Sequence, residues 1–250
     1  DNMRGILKYN HGDITTRHRV YSEKVFNIDK NSELKKVLLI AYINAFINYR
    51  FPIVQNLSKK EASIYKHLVN YKFLIRFLDN NKEEILEIYN HFEKSLENEG
   101  LFLLQYGLAL RHFGNTFEAF EKLRVALNAY PNSPHIEHAL AHQKLILASE
   151  SKSVHNLSRE NLFNEAKIAL IRLSKVEAGS FKNDSYPIVT LSKGHINYLI
   201  YLNKVEESKK VAEEYFDNLK DHSDYHSDPY LKQIATELMN YNLFGTWKYG

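Results

Sequence analysis

Three histidines on one short stretch have the residue type and spacing for chemistry. His135, His138 and His142 are spaced i, i+3 and i+7, so on a helix their side chains share one face. Three interpretations fit: a polar, partly solvated groove wall, a pH-sensitive face for an acidic or aromatic partner, or a metal site. The metal site is the weakest, because His135 and His142 are two turns apart and no HExxH pattern is present. We therefore expect no metal here.

The segment before these histidines has the pattern of a helical hairpin. Residues 103–132 read LLQYGLALRHFGNTFEAFEKLRVALNAYPN, with small residues where a 34-residue tetratricopeptide (TPR) unit requires them. Gly107 falls mid-helix, Gly114 in the turn, Ala119 and Ala126 on the second helix, and Pro131 just beyond it. Glycine inside a helix costs about 1 kcal/mol relative to alanine, so we expect a neighbouring helix to approach Gly107 closely. The segment resembles a TPR unit, and such units bind rather than catalyse.

The repeat register assigns side chains to a concave face. In TPR arrays the first helix of each hairpin lines that face, mainly through its second, fifth, ninth and twelfth positions. With Gly107 at the eighth position, the face takes Leu101, Leu104, Leu108 and Arg111, and a step of 34 residues adds His135, His138, His142 and Leu145. Arg111 and His112 add positive charge near the histidines. The predicted groove thus comprises Leu104, Leu108, Arg111, His112, His135, His138 and His142, and an acidic peptide or protein segment is its natural ligand.

Helical periodicity also dominates outside this hairpin. Asp13 or Thr15, Asn31 or Ser32, and Ser58 are candidate N-caps. The predicted helices cover residues 16–26, 33–49, 59–78, 82–97, 134–149, 160–175, 188–202, 205–219 and 231–241. This pattern predicts an all-α fold, a right-handed α-solenoid of stacked helical hairpins. We place a soft boundary between an irregular helical region, residues 1–99, and a TPR-like region, residues 100–250, with one continuous solenoid as the alternative.

Composition narrows the classes of protein. The 250 residues carry a net charge of only +3, which makes a nucleic-acid-binding role unlikely, although 17 Tyr and 14 Phe keep aromatic stacking on single strands as a minor option. Cysteine is absent, which excludes disulfides and thiol nucleophiles. No apolar run of 18 residues and no signal peptide are present. We expect a cytoplasmic chain with no membrane contact, and its start at Asp1 suggests a piece of a longer polypeptide.

Catalytic motifs are missing from the sequence. It contains no GxxxxGK[ST] phosphate loop, no GxGxxG fingerprint and no GxSxG elbow. The loop DHSDYHSD, residues 221–228, lacks the Gly and Glu that an EF-hand needs and is interpreted as a solvated turn. Residues 17–19, Arg-His-Arg, fit a packing contact better than a phosphate site. The prediction is a non-enzyme with no cofactor.

Three segments together resemble a particular family. ITTRHRVYSEKVF, residues 14–26, is similar to a TRHRVIAE-like stretch. Residues 101–142 resemble the FWLQYGL…LGN…A…L…A…P repeat that follows it, and residues 183–199, NDSYPIVTLSKGHINYL, resemble a later DPYP…LG…G motif. In that order they resemble the C-terminal helical and TPR region of large bacterial STAND-type P-loop NTPases, including Avs-like antiviral proteins and relatives with sirtuin-like effector domains. Two departures are Leu103 in place of Trp and only a partial match at residues 192–194.

The resemblance implies a sensor. In that family an effector and an NTPase precede the repeats, and the repeats recognise a foreign protein, often one from a phage. It implies a protein or peptide ligand for this chain, with oligomerisation a property of the full-length protein. Residues 17–19 would lie near the junction with the NTPase. The alternatives are a TPR scaffold or peptide-binding protein without a defence role, and an RNA-binding helical repeat.

Overall fold

The described part of the chain folds mostly into α-helices, which confirms the predicted all-α class. A computed structural model describes residues 7–10, 13–16, 32–150, 157–175, 186–222, 225–245 and 247. Within these ranges two short antiparallel strands, β1 (Leu7–Asn10) and β2 (Asp13–Thr16), precede the helices. The helices are α1 (Ser32–Asn44), α2 (Lys59–Leu68), α3 (Tyr71–Phe77), α4 (Lys82–Glu93), α5 (Gly100–His112), α6 (Thr116–Ala129), α7 (Pro134–Ser149), α8 (Arg159–Leu173), α9 (Tyr186–Tyr201), α10 (Val205–Lys220) and α11 (Pro229–Phe244), with a 3₁₀ turn at Ile53–Asn56.

The strand pair corrects the start of the first predicted helix. Asp13 and Thr15 do not cap a helix, because both lie in β2, where Asn10 pairs with Asp13 and Lys8 with Thr15. Pairing of the two strands satisfies the backbone groups that a helix would otherwise satisfy internally. Only two residues separate the strands and the second is Gly12, a composition typical of hairpin turns. The remainder of that predicted helix, residues 17–26, lies outside the described residues.

Consecutive helices pack as stacked hairpins. Helix α5 pairs with α6, α7 with α8 and α9 with α10, each of these hairpins packs on the next, and α11 packs on α10. Helices α5, α7 and α9 contact one another in that order, so the first helices of three successive hairpins form one layer. We call the surface of this layer the first-helix face. This arrangement is compatible with the predicted solenoid.

Two glycines mark the closest helix approaches. A Cβ on Gly107 would lie 2.7 Å from Leu123 Cγ of α6, which confirms the expected close contact within the hairpin. A Cβ on Gly194 would lie 2.4 Å from Leu145 Cδ1, so α9 approaches α7 just as tightly. Real Cβ atoms do not tolerate such distances, and a larger residue would push the helices apart. Glycine therefore sets the spacing within one hairpin and between two others.

The predicted helix over residues 59–78 is two helices. Asn70 separates α2 from α3, and its side chain accepts a hydrogen bond from Phe73 N at 3.1 Å as the N-cap of α3. Gln105 of α5 accepts another from Tyr71 N at 3.2 Å. These side chains replace the intrahelical bonds that a continuous helix would make.

Capping side chains define several helix starts. Ser58 caps α2 as predicted and forms a capping box with Glu61, and Ser133 and Ser158, which were not predicted as caps, cap α7 and α8. Helix α6 ends at Ala129, before Pro131, as predicted. Helix α1 ends at Asn44 rather than near Tyr49, because the backbone tightens there into i to i−3 hydrogen bonds.

Within the described residues, the buried apolar side chains form two neighbouring clusters. The larger extends from Leu39 to Tyr198 and continues across residue 100. The smaller joins α9, α10 and α11, and Trp247 packs against it while donating a hydrogen bond to Asn197 Oδ1 at 2.7 Å. The division into residues 1–99 and 100–250 stays a prediction. Among the described helices, none is long and apolar enough to span a bilayer.

Candidate ligand-binding face

Four helices bring the polar residues of the first-helix face together. Helix α5 contributes Arg111 in its last turn, and α7 contributes the three predicted histidines. Helix α9 adds Lys193, while Tyr71 stands at the start of α3 and Tyr186 at the start of α9. The members of this cationic cluster are Arg111, His135, His138, His142 and Lys193.

Arg111 is the unusual member of the cluster. Its side chain is partly buried, and Nη1 is fully buried without a hydrogen-bond partner. Within the described residues no carboxylate pairs with this guanidinium. Burial lowers the pKa of Arg111, while the hydroxyl groups of Tyr71 and Tyr186 act in the opposite direction. Arginine stays protonated in proteins, so a positive charge remains here that no carboxylate of the described residues compensates.

The inner histidines are held in the neutral form. Burial, followed by the charges of Arg111 and His135, lowers the pKa of His138 to about 4. Burial, Arg111, His138 and Lys193 lower the pKa of His142 well below its usual value. Both imidazoles are therefore neutral at pH 7. No carboxylate of the described residues contributes to the pKa of either histidine or of Arg111.

His138 is more structural than the repeat register suggests. It is buried, and its Nε2 lies 3.0 Å from Thr190 Oγ1 of α9. Its ring centroid is 5.0 Å from that of Tyr186 and 6.4 Å from that of His142. His138 therefore joins α7 to α9 beneath the face, whereas His142 is only partly buried and lies nearer the surface.

Lys193, the last member of the cationic cluster, lies next to α11. Its Nζ lies 3.8 Å from Glu237 Oε2 and 5.9 Å from the ring centroid of Tyr230, both on α11. Burial lowers the pKa of Lys193, and Glu237 opposes this effect. The charges of Arg111 and Lys193 both contribute to the lowered pKa of His142, after burial.

The other predicted residues have different surroundings. His135 and His112 are exposed, and His112 Nε2 lies 3.3 Å from Asn80 Oδ1. Leu104 is only 8% exposed and belongs to the larger core cluster, against which Leu108 also packs. The two leucines therefore lie beneath the first-helix face, and Arg111 and the histidines form its polar surface.

Repeat spacing did not identify Lys193, Tyr186 or Tyr71. Helix α7 begins 34 residues after α5, but α9 begins 52 residues after α7, so a fixed repeat step misses the third first helix. Tyr71 starts α3, whose separation from α2 the periodicity did not reveal. Gly194 was the usable signal, since a glycine in an apolar helix indicates a close neighbour.

Comparisons with protein-family models, with curated proteins and with solved structures found no match. Among the residues that the structure describes, no group of three or more His, Asp or Glu side chains is arranged to hold a metal ion. The charged side chains of this face are Arg111 and Lys193, and Lys193 lies 3.8 Å from Glu237.

Proposed function

We propose that this chain is a non-catalytic protein-binding module whose first-helix face binds an acidic segment of a partner protein. The observation that carries the proposal is the guanidinium of Arg111, charged, partly buried, and without a hydrogen bond at Nη1. A buried cation without a counter-ion is costly to the free protein. An acidic ligand supplies the missing charge, so the cost is recovered on binding.

A peptide experiment tests this function directly. We expect a fluorescently labelled octaglutamate peptide to bind at least about tenfold more tightly than octaglutamine, because charge-assisted hydrogen bonds are strong. Binding should weaken as salt rises and disappear in the Arg111→Glu variant. Arg124→Glu is the matched control, since Arg124 is exposed on α6 and pairs with Glu121. Equal binding of the two peptides would remove the basis for the proposal.

The resemblance to STAND-type NTPases supports a more specific role. In this proposal the chain is the C-terminal ligand-recognition part of an anti-phage NTPase, and its partner is a phage structural or packaging protein. Pull-downs from infected and uninfected cells should then recover one identified phage protein with the wild-type chain and with Arg124→Glu, but not with Arg111→Glu. Retention by Arg111→Glu at the wild-type level contradicts the assignment of the face.

The alternative function is a TPR scaffold or peptide-binding protein without a defence role. It shares the acidic ligand and differs in the source of that ligand. A P-loop encoded upstream of Asp1 would favour the sensor, and capture of the same host protein with or without infection would favour the scaffold.

A further inference from the structure

We propose that the outer face of α1 is a docking surface for residues 17–26 of the same chain. The sequence predicts a helix over these residues, which lie outside the described part of the structure and precede α1 in the chain. The inference goes beyond the proposed function, because α1 contributes no residue to the cationic cluster.

The inner face of α1 is fixed on the helical stack. Leu39 and Ile43 are buried in the larger core cluster, and α1 contacts both α2 and α4. Lys36 Nζ lies 3.0 Å from Glu87 Oε2 of α4, which adds an ion pair to these contacts. The position of α1, and therefore the direction of its opposite side, follows from this packing.

The outer face of α1 is apolar as well. It consists of Val37, Leu38, Ala41 and Tyr42, whose i, i+1, i+4 and i+5 spacing places them on one side of the helix. Val37 is 51% exposed and Tyr42 is 60% exposed. A helix that is apolar on both sides is normally buried on both sides. The outer face therefore has the composition of a surface that another element covers.

Helix α11, at the opposite end of the stack, shows what a solvent-facing terminal helix looks like in this molecule. Its middle turns expose Lys232, Gln233 and Thr236, the polar kind of surface that terminal repeats present to water. Helix α1 lacks this property on its outer face. The contrast indicates that α1 is not the last layer of the stack.

A second copy of the chain is a poor candidate for covering this face. The exposed parts of its four side chains sum to roughly 300 Å², well below the about 800 Å² that each partner buries in a stable dimer. A segment of the same chain needs no such area, because a short connection gives it a high effective concentration at the face.

Residues 17–26 fit the face in length, connection and composition. Ten residues of helix span about 15 Å, which exceeds the about 8 Å between Val37 and Tyr42 along α1. Tyr21 and Val25 have i and i+4 spacing, so a helix presents both on one side. The connection, residues 27–31, reads NIDKN, and five residues rich in Asn and Asp are typical of the link between two antiparallel helices.

Thiol labelling tests the cover on the full chain, which contains no cysteine of its own. Val37→Cys introduces a thiol in the outer face of α1, and Ile168→Cys introduces one on α8, where Ile168 is 69% exposed. Since labelling requires access to the thiolate, we expect iodoacetamide to modify position 37 at least about tenfold more slowly than position 168.

Substitutions in residues 17–26 identify the occupant. The pair Tyr21→Asp and Val25→Asp places charge against an apolar surface, so labelling at position 37 should become at least about tenfold faster while the rate at position 168 stays constant. Arg19→Asp is the matched control, because residue 19 lies on the opposite side of the predicted helix, and it should change neither rate. Circular dichroism verifies the fold, and the milder pair Tyr21→Ala and Val25→Ala replaces the acidic pair if that pair unfolds the chain.

Three results would overturn the proposal. Equal labelling rates at positions 37 and 168 would show that the outer face is not covered. Protection of position 37 that survives both the acidic and the alanine pair would assign the face to another occupant. Protection that grows with protein concentration, together with the mass of a dimer in light scattering, would identify that occupant as a second copy.

Discussion

At the scale of single residues, Arg111 combines an energetic cost in the free protein with the ligand-binding role that we propose for it. Its Nη1 is buried without an acceptor, and burial opposes its charge. Residues kept for binding commonly reduce stability in this way. The exposed Arg124, paired with Glu121 at 2.6 Å, carries no such cost.

We expect Arg111→Met to stabilise the free protein. Methionine keeps the length and flexibility of the side chain but removes the charge and the unsatisfied donor. The free energy of unfolding in urea should rise by about 1 kcal/mol, while the variant loses its affinity for octaglutamate.

Arg124→Met provides the control for this measurement. An exposed ion pair contributes little, so its stability should stay within about 0.5 kcal/mol of wild type. If Arg111→Met instead lowers the free energy of unfolding, the side chain of Arg111 contributes to packing. Its buried guanidinium would then no longer indicate a ligand.

Part of this site could be predicted from the sequence. Helical spacing placed His135, His138 and His142 on one side of α7, where they lie in the structure. Spacing within a helix does not reveal depth, however, and only packing against Thr190 shows that His138 is buried. Lys193 could not be predicted from the repeat spacing, because the connection between α8 and α9 interrupts the 34-residue repeat.

At the scale of elements, small residues determine how closely the helices pack. The TPR pattern predicted the close approach at Gly107, and its hypothetical Cβ indeed meets Leu123 Cγ at 2.7 Å and Leu123 Cδ2 at 2.9 Å. The break between α2 and α3 was not predictable from periodicity. The break depends on Gln105 of α5. Its side chain accepts a hydrogen bond from Tyr71 N, although the two residues are 34 positions apart in the sequence.

We expect Gly107→Ala to destabilise the hairpin of α5 and α6 despite the better helix propensity of alanine. Propensity alone would favour alanine by about 1 kcal/mol, whereas overpacking costs about 1 to 3 kcal/mol. The net loss in the free energy of unfolding should be about 1 kcal/mol, measured by urea denaturation.

A double-mutant cycle with Leu123→Ala tests the cause. Truncating Leu123 removes the two atoms nearest to the new Cβ, although Ala119 O at 3.3 Å remains. In that background Gly107→Ala should be neutral or slightly stabilising. An equal loss in both backgrounds would attribute the effect to something other than this contact.

At the scale of the whole molecule, the helices share more interior than the repeat pattern indicates. Tyr89 of α4 stacks on Tyr106 of α5 with ring centroids 5.0 Å apart, and the buried Glu99 accepts a hydrogen bond from Ile53 N at 2.9 Å. The tyrosine stack links α4 to α5 across residue 100, and Glu99, the N-cap residue of α5, links the start of that helix to the 3₁₀ turn at Ile53–Asn56. The stacked arrangement was predictable from periodicity, but these links join residues distant in sequence.

Histidines also take part in the contacts between helices, and they make the stability of the stack depend on pH. His138 joins α7 to α9, and His195 of α9 lies 3.3 Å from Tyr215 Oη of α10 through Nδ1. Burial is the main cause that lowers the pKa of each to about 4. Their neutral forms therefore belong to the assembled stack, whereas an unfolded chain would protonate them near pH 6.5.

We expect the free energy of unfolding to decrease as pH falls from 6.5 towards 4. Between these values the unfolded state binds more protons than the folded state, so stability is full above pH 6.5 and is lost on acidification. The lowered pKa of the buried His138 corresponds to about 3 kcal/mol in the free energy of unfolding. The contribution of His195 is smaller, because its side chain is partly exposed. Glu99 acts in the opposite direction, since burial raises its pKa.

Urea denaturation at several pH values measures this dependence on the wild type and on the His138→Gln, His195→Gln variant. Glutamine retains hydrogen-bonding capacity but does not titrate, so the slope between pH 4 and 6.5 should fall by up to about two protons. The exposed His135→Gln is the control and should keep the wild-type slope. An unchanged slope in the double variant would mean that both imidazoles are protonated within the fold, and that acid acts on this stack through other groups, such as His142 or the carboxylates.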